Sequence, residues 1–193
     1  MKRLLAAAAV CAAMSLTASA ASAAEVAYKL DPAHTETSFS IDRFGFTSIL
    51  GIFAKAEGTI WLDEAAPEKS RVEATVDVAS LQAGNATREE HLTGERWLNA
   101  AKNATMTFKS TKVEKTGDMT AKVTGDMTIM GVTQPVTLDV KLNKIGTAAN
   151  SPKKQAGFTI TGSISRKAFG SASAAGMIGD AVAIRIEALG VAQ

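Results

Sequence analysis

The fold is indicated most directly by residues 71–78, which read Arg71-Val72-Glu73-Ala74-Thr75-Val76-Asp77-Val78. Every second residue of this stretch is apolar, and the residues between them are charged or polar. Successive side chains of a β-strand point to opposite faces, so this alternation is typical of a strand with one face on an apolar interior. The stretch therefore predicts a strand, since the apolar residues of a helix would recur every three or four positions.

The same two-residue period recurs along the chain after residue 25. The further apolar positions are Val26, Tyr28 and Leu30; Phe39 and Ile41; Ile60 and Leu62; Met106 and Phe108; Ala121, Val123, Met127 and Ile129; Val136, Leu138, Val140 and Leu142; Phe158, Ile160 and Ile164; and Val182, Ile184 and Ile186. These segments predict eight or nine strands. The short polar connections at 115–118, 131–135 and 143–146 indicate antiparallel neighbours, because parallel strands need long crossovers.

Strands that alternate in this way have to hide one apolar face each. A sandwich and a closed barrel both achieve this, and only closure removes the strand edges. An eight-stranded barrel can be filled by its own side chains or can hold one small ligand. The periodicity does not choose between these outcomes.

The first 23 residues have the pattern of a secretory signal peptide. Met1-Lys2-Arg3 is a positive start, residues 4–16 are apolar, and Ala21-Ser22-Ala23 fits an A-x-A cleavage site. We therefore expect residues 1–23 to be removed, leaving one periplasmic domain of 170 residues, 24–193. Cleavage would also remove the only cysteine of the chain and leave 19 basic against 19 acidic residues.

This composition argues against several classes of protein. Balanced charge without a basic cluster speaks against nucleic acid or an anionic membrane surface as a partner. After residue 23 no apolar run approaches the roughly 18–20 residues of a membrane-spanning helix. Two histidines, His34 and His91, without a metal-binding motif indicate neither a metal site nor another cofactor.

Two stretches interrupt the alternation. Thr87-Arg88-Glu89-Glu90 has the S/T-x-x-E form of a capping box, and Gly94 is placed to end a short helix. In residues 43–51, Phe44 and Phe46 stand among glycines outside any alternation. We expect a lid or a mouth over a sheet end at these two places.

Catalytic chemistry has little support in the sequence. His34 follows the first strand with Asp31, Glu36 and Ser38 nearby, but a triad needs convergence and an oxyanion hole, and no G-x-S-x-G elbow is present. A hydrogen-bonded turn histidine is the favoured interpretation of His34, and a hydrolase or isomerase using it with Asp31 or Glu36 is the alternative. His91 is interpreted as a helix-surface or capping residue. No catalytic residue is assigned, and we do not expect an enzyme.

Several short motifs occur in a defined order. They are Asp31-Pro32-Ala33-His34-Thr35, Ser38-Phe39, Gly51-Ile52-Phe53, His91-Leu92-Thr93, Phe108-Lys109-Ser110, residues 125–136, Gly157-Phe158, Ser165-Arg166-Lys167-Ala168-Phe169-Gly170 and Gly179-Asp180-Ala181-Val182. Over residues 26–190 the chain thereby resembles the YceI-like family of bacterial periplasmic polyisoprenoid-binding proteins. The resemblance implies an all-β, eight-stranded antiparallel lipocalin-like barrel with a short helix between strands. It also implies that the barrel binds or carries a polyisoprenoid or isoprenoid-quinone lipid, without chemistry, and forms a homodimer.

The resemblance implies a hydrophobic tunnel as the binding site. Its predicted residues are Phe39, Ile41, Phe44, Phe46, Phe53, Val76, Val78, Phe108, Met127, Ile129, Phe158, Ile160 and Phe169, of which Phe44, Phe46 and Phe169 are expected at the mouth or lid. His34 and Arg166 are candidate polar contacts, and for Arg166 an internal carboxylate partner is favoured over a lipid head group. Arg43 and Trp97-Leu98-Asn99 depart from the family pattern near the mouth. The alternative function is a structural or stress-response barrel without lipid.

Overall fold

The computed structural model describes residues 25–149 and 151–193, so the predicted signal peptide lies outside the described residues. The strands are β1 (Val26–Leu30), β2 (Glu36–Arg43), β3 (Thr47–Phe53), β4 (Ala56–Leu62), β5 (Arg71–Asp77), β6 (Leu81–Gln82), β7 (Thr105–Gly117), β8 (Thr120–Ile129), β9 (Val132–Ala148), β10 (Ser151–Ser165) and β11 (Ile178–Ala192). Helix α1 (Ala86–Thr93) lies between β6 and β7. Single 3-10 turns cover Pro67–Lys69, Val78–Ser80 and Lys167–Phe169.

Eight of the strands close into an antiparallel barrel. Their order is β1-β4-β5-β7-β8-β9-β10-β11, and the ring closes where β1 pairs with β11, with Leu30 opposite Gly190. Residues 178–187 of β11 pair with β2, and residues 190–192 of the same edge pair with β1. The β2–β3 hairpin and β6 therefore extend the sheet past the ring. The predicted eight-stranded barrel is confirmed, and the sandwich is excluded.

Strand β5 shows how the alternating sequence builds the wall. Arg71 and Glu73 are exposed, whereas Val72 and Ala74, which alternate with them, are partly buried. The strand ends one residue earlier than the alternation predicts, because the Asp77 carboxylate accepts a hydrogen bond from the Ala79 amide and starts a 3-10 turn. Side-chain capping of this kind competes with the strand ladder.

The interruption at residues 43–51 is a tight hairpin and not an irregular loop. Arg43 pairs with Thr47, and the chain reverses through Phe44 and Gly45, which both have positive φ (57° and 70°). Glycine adopts this conformation without strain, and paired positive-φ residues match the twist of a hairpin. Most of the stretch is therefore strand β3.

Helix α1 begins earlier than the capping-box pattern predicts. Asn85 is its N-cap, and the Asn85 carboxamide oxygen accepts a hydrogen bond from the Arg88 amide three residues on, at 3.0 Å. Thr87 lies inside the first turn instead. The helix ends at Gly94 as predicted.

The turn predicted at residues 143–146 is absent, because β9 continues through it. Leu142 pairs with Phe158 and Lys144 with Gly157, so Asn143 is an extra residue accommodated as a β-bulge. A bulge allows turn-forming residues to remain within a strand. The continuous β9 and β10 make this side of the barrel tall.

The two ends of the barrel carry different elements. We call the end formed by residues 44–46, 85–103 and 166–177 the helix end, and the end formed by residues 63–70 and 117–120 the hairpin end. Buried apolar residues form one cluster toward each end. They are Tyr28, Leu30, Ala156, Phe158 and Ala188 toward the hairpin end, and Val136, Leu138 and Phe169 toward the helix end.

Candidate functional site

The barrel encloses a cavity of about 980 Å³ that extends from the hairpin end to the helix end. This volume is at the upper limit of the roughly 300–1,000 Å³ that is usual for small-molecule sites. Its wall is mainly apolar, and further wall residues beyond those predicted include Leu30, Ile60, Met106, Leu138, Val140, Ile184 and Ile186. The interior is therefore not filled by the protein's own side chains.

Glycines in the wall explain how large side chains leave the lumen open. A Cβ atom on Gly51 would lie 2.4 Å from Cε1 of Phe39, and one on Gly125 would lie 2.6 Å from Cζ of Phe108. Each ring therefore occupies the space beside a glycine of the neighbouring strand, where a side chain would displace it. The rings line the cavity without crossing it. Phe39 also contacts Phe53, with ring centroids 5.8 Å apart.

The structure places most of the predicted tunnel residues on this cavity. The residues that line it are Phe39, Ile41, Phe53, Val76, Phe108, Met127, Ile129, Phe158, Ile160 and Phe169, together with Arg166. These side chains share the inward phase of their strands, except Phe169 and Arg166, which belong to the turn after β10. Their part in binding stays a prediction.

Four predicted residues lie outside the cavity lining. Val78 is 1% exposed but sits in the 3-10 turn after β5, where its amide donates to the Ala104 carbonyl. Phe44 and Phe46 are at the tip of the β2–β3 hairpin, at the helix end of the barrel, and Phe46 is 90% exposed. His34 lies at the surface turn after β1.

The geometry around His34 does not assemble a hydrolytic triad. Its Nδ1 lies 2.7 Å from Oδ2 of Asp31 in a turn where the His34 side chain is 69% exposed. This hydrogen bond, and a second from the Ala33 amide, lower the pKa of Asp31. The Ser38 hydroxyl donates to the Arg185 carbonyl at 2.9 Å. The turn-histidine interpretation accounts for these contacts.

Arg166 is buried, with 6% of its surface exposed, and its partners are backbone carbonyls instead of the carboxylate favoured from the sequence. Its Nε donates to Gly179 (2.8 Å), Nη1 donates to Ser171 and Ser173 (2.6 and 2.8 Å), and Nη2 donates to Ile178 (3.1 Å). These bonds hold the segment between β10 and β11 against the helix end.

The described residues show neither a metal centre nor a helical membrane span. In residues 25–149 and 151–193 no group of three His, Cys, Asp or Glu side chains is placed to hold a metal ion. No helix in the same residues has the length and apolarity needed to cross a bilayer.

Comparison with known proteins identifies the family. The sequence profile of the YceI-like domain matches residues 28–189. The chain belongs to the YceI-like family. It is 37% identical over 183 residues to Protein YceI of Escherichia coli O157:H7, covering 93% of this chain and 94% of that protein.

Two solved structures share the fold of this YceI-like barrel. BcnA of Burkholderia cenocepacia superposes with a TM-score of 0.73 at 24% identity, covering 83% of this chain and 98% of that chain. A polyisoprenoid-binding domain from Saccharophagus degradans, implicated in plant cell wall breakdown, gives a TM-score of 0.65 at 14% identity, covering 87% and 99%. At these identities the likeness concerns the fold alone.

Of the polar residues that line the YceI-like barrel, the sequence indicated Arg166 as a polar contact and Arg43 and Trp97 near the mouth, and it did not indicate the others. Arg43, Arg88, His91 and Trp97 line the helix end, and Glu64, Arg71, Lys115 and Asp118 line the hairpin end. These residues belong to turns, the helix and strand termini, where the two-residue period gives no inside or outside. The additional apolar wall residues, such as Val140 and Ile184, could have been found from the inward phase already identified.

Proposed function

We propose that this protein binds a long-chain lipid of the polyisoprenoid or isoprenoid-quinone type, with the chain inside the barrel. The observation that carries the proposal is the elongated, mainly apolar cavity of about 980 Å³. Family membership supports it, and so does the fold shared with a polyisoprenoid-binding domain. A binding role requires no catalytic residue.

Burial of the lipid chain is sufficient to give useful affinity. Each buried CH₂ group contributes roughly 0.8 kcal/mol, so ten such groups contribute about 8 kcal/mol, which corresponds to a Kd near 1 μM. Ordering of the chain reduces this gain, and a longer chain restores it. An apolar wall can therefore hold the lipid with few polar contacts.

The two alternatives from the sequence are less well supported. A structural barrel packed with its own side chains would leave no room for a chain, whereas this interior is open along its length. A hydrolase or isomerase would need His34 in a cleft, and His34 lies on an exposed turn away from the cavity lining. A binding protein therefore agrees best with the geometry.

The direct test is to purify the protein under native conditions, extract it with organic solvent and identify the extract by mass spectrometry. We expect a stoichiometric long-chain lipid. Ala74 lines the cavity, so Ala74→Trp should block the lumen and abolish retention. Ala183 is exposed on β11 and outside the lining, so Ala183→Trp should retain the lipid.

The proposal fails if the native protein carries no lipid and takes up no added polyprenol or quinone. It also fails if the two tryptophan variants retain lipid equally. Should Ala74→Trp not fold by circular dichroism, Ala121→Phe serves the same purpose, since Ala121 lines the cavity on β8, two strands along the wall.

We further propose that the protein acts in the periplasm after removal of residues 1–23. The support is the charged start, the apolar run and the Ala21-Ser22-Ala23 site. N-terminal sequencing of protein from a periplasmic extract should begin at Ala24. An N-terminus at Met1 in that extract, or confinement to the cytoplasm, would overturn this proposal.

A further inference from the structure

Charged side chains line the cavity at both ends, but within the described residues only those at the hairpin end form salt bridges. There Glu64 pairs with Lys154 (2.5 Å), Arg71 with Glu25 (3.1 Å) and Lys115 with Asp118 (3.9 Å). At the helix end the charged lining residues are Arg43, Arg88 and Arg166, and no Asp or Glu of the described residues lines that end. The lumen is thus electrically asymmetric.

The arginines of the described residues divide in the same way. Arg71 and Arg185 each pair with a carboxylate, on Glu25 and Glu187. In residues 25–149 and 151–193 the other four make no salt bridge, and all four are at the helix end: Arg43, Arg88, Arg96 and Arg166. Acidic residues of the same region (Asp42, Glu89, Glu90, Glu95 and Asp180) make no salt bridge with these arginines and do not line the cavity, so the charged side chains that face the lumen at this end are all positive.

Arg166 is the buried member of this group of arginines. A guanidinium has five N–H donors, and its four hydrogen bonds to carbonyls leave one Nη2 hydrogen without a partner in the described part of the chain. The neighbouring Asp180 does not pair with it, since its two carboxylate oxygens accept from Ser165 and Lys167. The Arg166 charge still lowers the pKa of Asp180, so this carboxylate lies close enough to offset part of that charge. An anion in the lumen would supply an acceptor for the remaining N–H of the buried guanidinium.

The surroundings of Arg166 suit a ligand head group. Its Cζ lies 5.8 Å from the ring centroid of Trp97, and both residues line the cavity, so the guanidinium borders the lumen beside an aromatic ring. Arg43 and Arg88 are exposed, which places their charge where the cavity meets solvent. The helix end thus combines one buried cation with two at the rim.

We infer that the helix end is a binding site for an oxyanion head group, a phosphate or a carboxylate, of the lipid whose chain occupies the barrel. Arg166 is the inner contact, and Arg43 and Arg88 are the rim contacts. The inference rests on the proposed function, because it assigns a head group and an orientation to that same ligand. The apolar tail then points to the hairpin end.

The test is competition among three lipids with the same chain: hexadecyl phosphate, palmitate and hexadecan-1-ol. Lipid-free protein is mixed with an equimolar excess of all three, and the retained fraction is analysed by mass spectrometry. Because charge-assisted hydrogen bonds are stronger than neutral ones, we expect each anion to be retained at least about tenfold over the alcohol.

Variants assign the selectivity to the arginines. Arg43→Gln combined with Arg88→Gln changes only exposed side chains and should lower the preference for both anions by about two- to tenfold, while retention of the alcohol is unchanged. Arg166→Gln should lower the preference for the anions further. If Arg166→Gln does not fold, the Arg43→Gln/Arg88→Gln variant still tests the inference. Arg185→Gln removes the same charge from the outer face of β11 and should have no effect.

Equal retention of the alcohol and the two anions would overturn the inference and leave the proposed function standing. The same holds if the double variant weakens all three lipids equally, since that would indicate general damage to the cavity. Failure to retain any of the three by protein that does take up a polyprenol would overturn the inference alone, and failure to take up the polyprenol as well would overturn the proposed function.

Discussion

Replacement of Gly51 by alanine tests whether wall glycines keep the lumen open. Gly51 lies on β3 directly opposite Phe39 of β2, and the ring of Phe39 covers it. A methyl group at this position would lie 2.4 and 2.5 Å from Cε1 and Cζ of the ring. Carbon atoms pack at about 3.5–4.0 Å, so the ring has to move by roughly 1.1–1.5 Å.

The size of the effect follows from that displacement. Overpacking of a tight interior costs about 1–3 kcal/mol, whereas loss of glycine flexibility in the unfolded chain returns only about 0.4–1 kcal/mol. We expect the free energy of unfolding to fall by about 1–2 kcal/mol. For a domain of this size that lowers Tm by roughly 2–8 °C.

Gly157 on β10 offers a matched control. A Cβ atom there would approach only the Lys144 carbonyl oxygen, at 4.0 Å. Gly157→Ala should therefore be neutral or raise Tm, so of the two alanine variants only Gly51→Ala is expected to lower Tm. Thermal unfolding followed by circular dichroism, with urea unfolding in parallel, measures both.

Repeating the Gly51→Ala substitution in a second protein background tests whether the Phe39 ring causes the loss of stability. In a Phe39→Leu protein the side chain over position 51 is smaller, and Gly51→Ala should then cost little. If Gly51→Ala lowers Tm equally in both backgrounds, the ring is not responsible, and the nearby Gln82 carbonyl oxygen at 3.3 Å is the alternative contact. If Gly51→Ala matches wild-type stability, the reasoning on wall glycines is refuted.

Three further predictions concern stability. Tyr28 is fully buried and its hydroxyl makes no hydrogen bond of standard geometry in the described part of the chain, although burial and the nearby Glu64 carboxylate raise its pKa. Tyr28→Phe should therefore raise the free energy of unfolding in urea by about 1 kcal/mol, and a loss would show that the hydroxyl bonds to Glu64. Phe169→Ala removes a buried ring at the helix end and should cost about 3–5 kcal/mol by the same measurement, with a cost below 1 kcal/mol contradicting its place in the core. The Lys167 amide and the Ser165 hydroxyl hold the pKa of Asp180 below its ordinary value of 3.8, so the contribution of this carboxylate to stability is complete above that pH and is lost as the pH falls below it. The urea midpoint of Asp180→Asn should accordingly fall less than that of wild type on acidification from about pH 5 to about pH 3, and an equal fall would contradict this.

The strands could be predicted from sequence because each carries its own inside and outside. Residues 71–78 alternate without exception, and the strand observed there, Arg71–Asp77, differs from the prediction by one residue. The alternation alone does not predict whether the ring closes, because closure depends on the pairing of β1 with β11 across almost the whole chain. Periodicity reports which face is buried and carries no information on distant partners.

Local competition explains the errors at turns and at the helix start. Asn85 and Thr87 are both good N-cap residues, and the one that reaches an amide three residues on, at Arg88, sets the first turn. Residues 143–146 have turn-forming composition, yet a bulge lets β9 keep its pairing with β10. The sequence contains both possibilities in each case, and long-range pairing decides between them.

The candidate site likewise has a part that could be predicted from the sequence and a part that could not. Its apolar wall comes from inward strand positions such as Phe39 and Phe108, and these could be identified in advance. The partners of Arg166 are carbonyls of the segment before β11 and of the first two residues of β11, 5 to 13 residues further along the chain, and no sequence pattern indicates them. The apolar wall of the cavity could therefore be predicted from the sequence, whereas the arrangement of its charged lining residues could not.

This division has a consequence for how the barrel can change its ligand. The size of the lumen depends on strand residues, among them the ring and glycine pair Phe39 and Gly51, whose packing is shared with neighbouring strands. The charge at the helix end depends on Arg43 and Arg88, which lie at a strand end and on α1, are exposed and make no salt bridge in the described residues. Substitution of exposed residues changes stability little, whereas substitution in a packed wall is costly. Head-group preference can therefore be altered at the helix end without rebuilding the cavity, whereas a change in chain length requires coordinated changes in several strands.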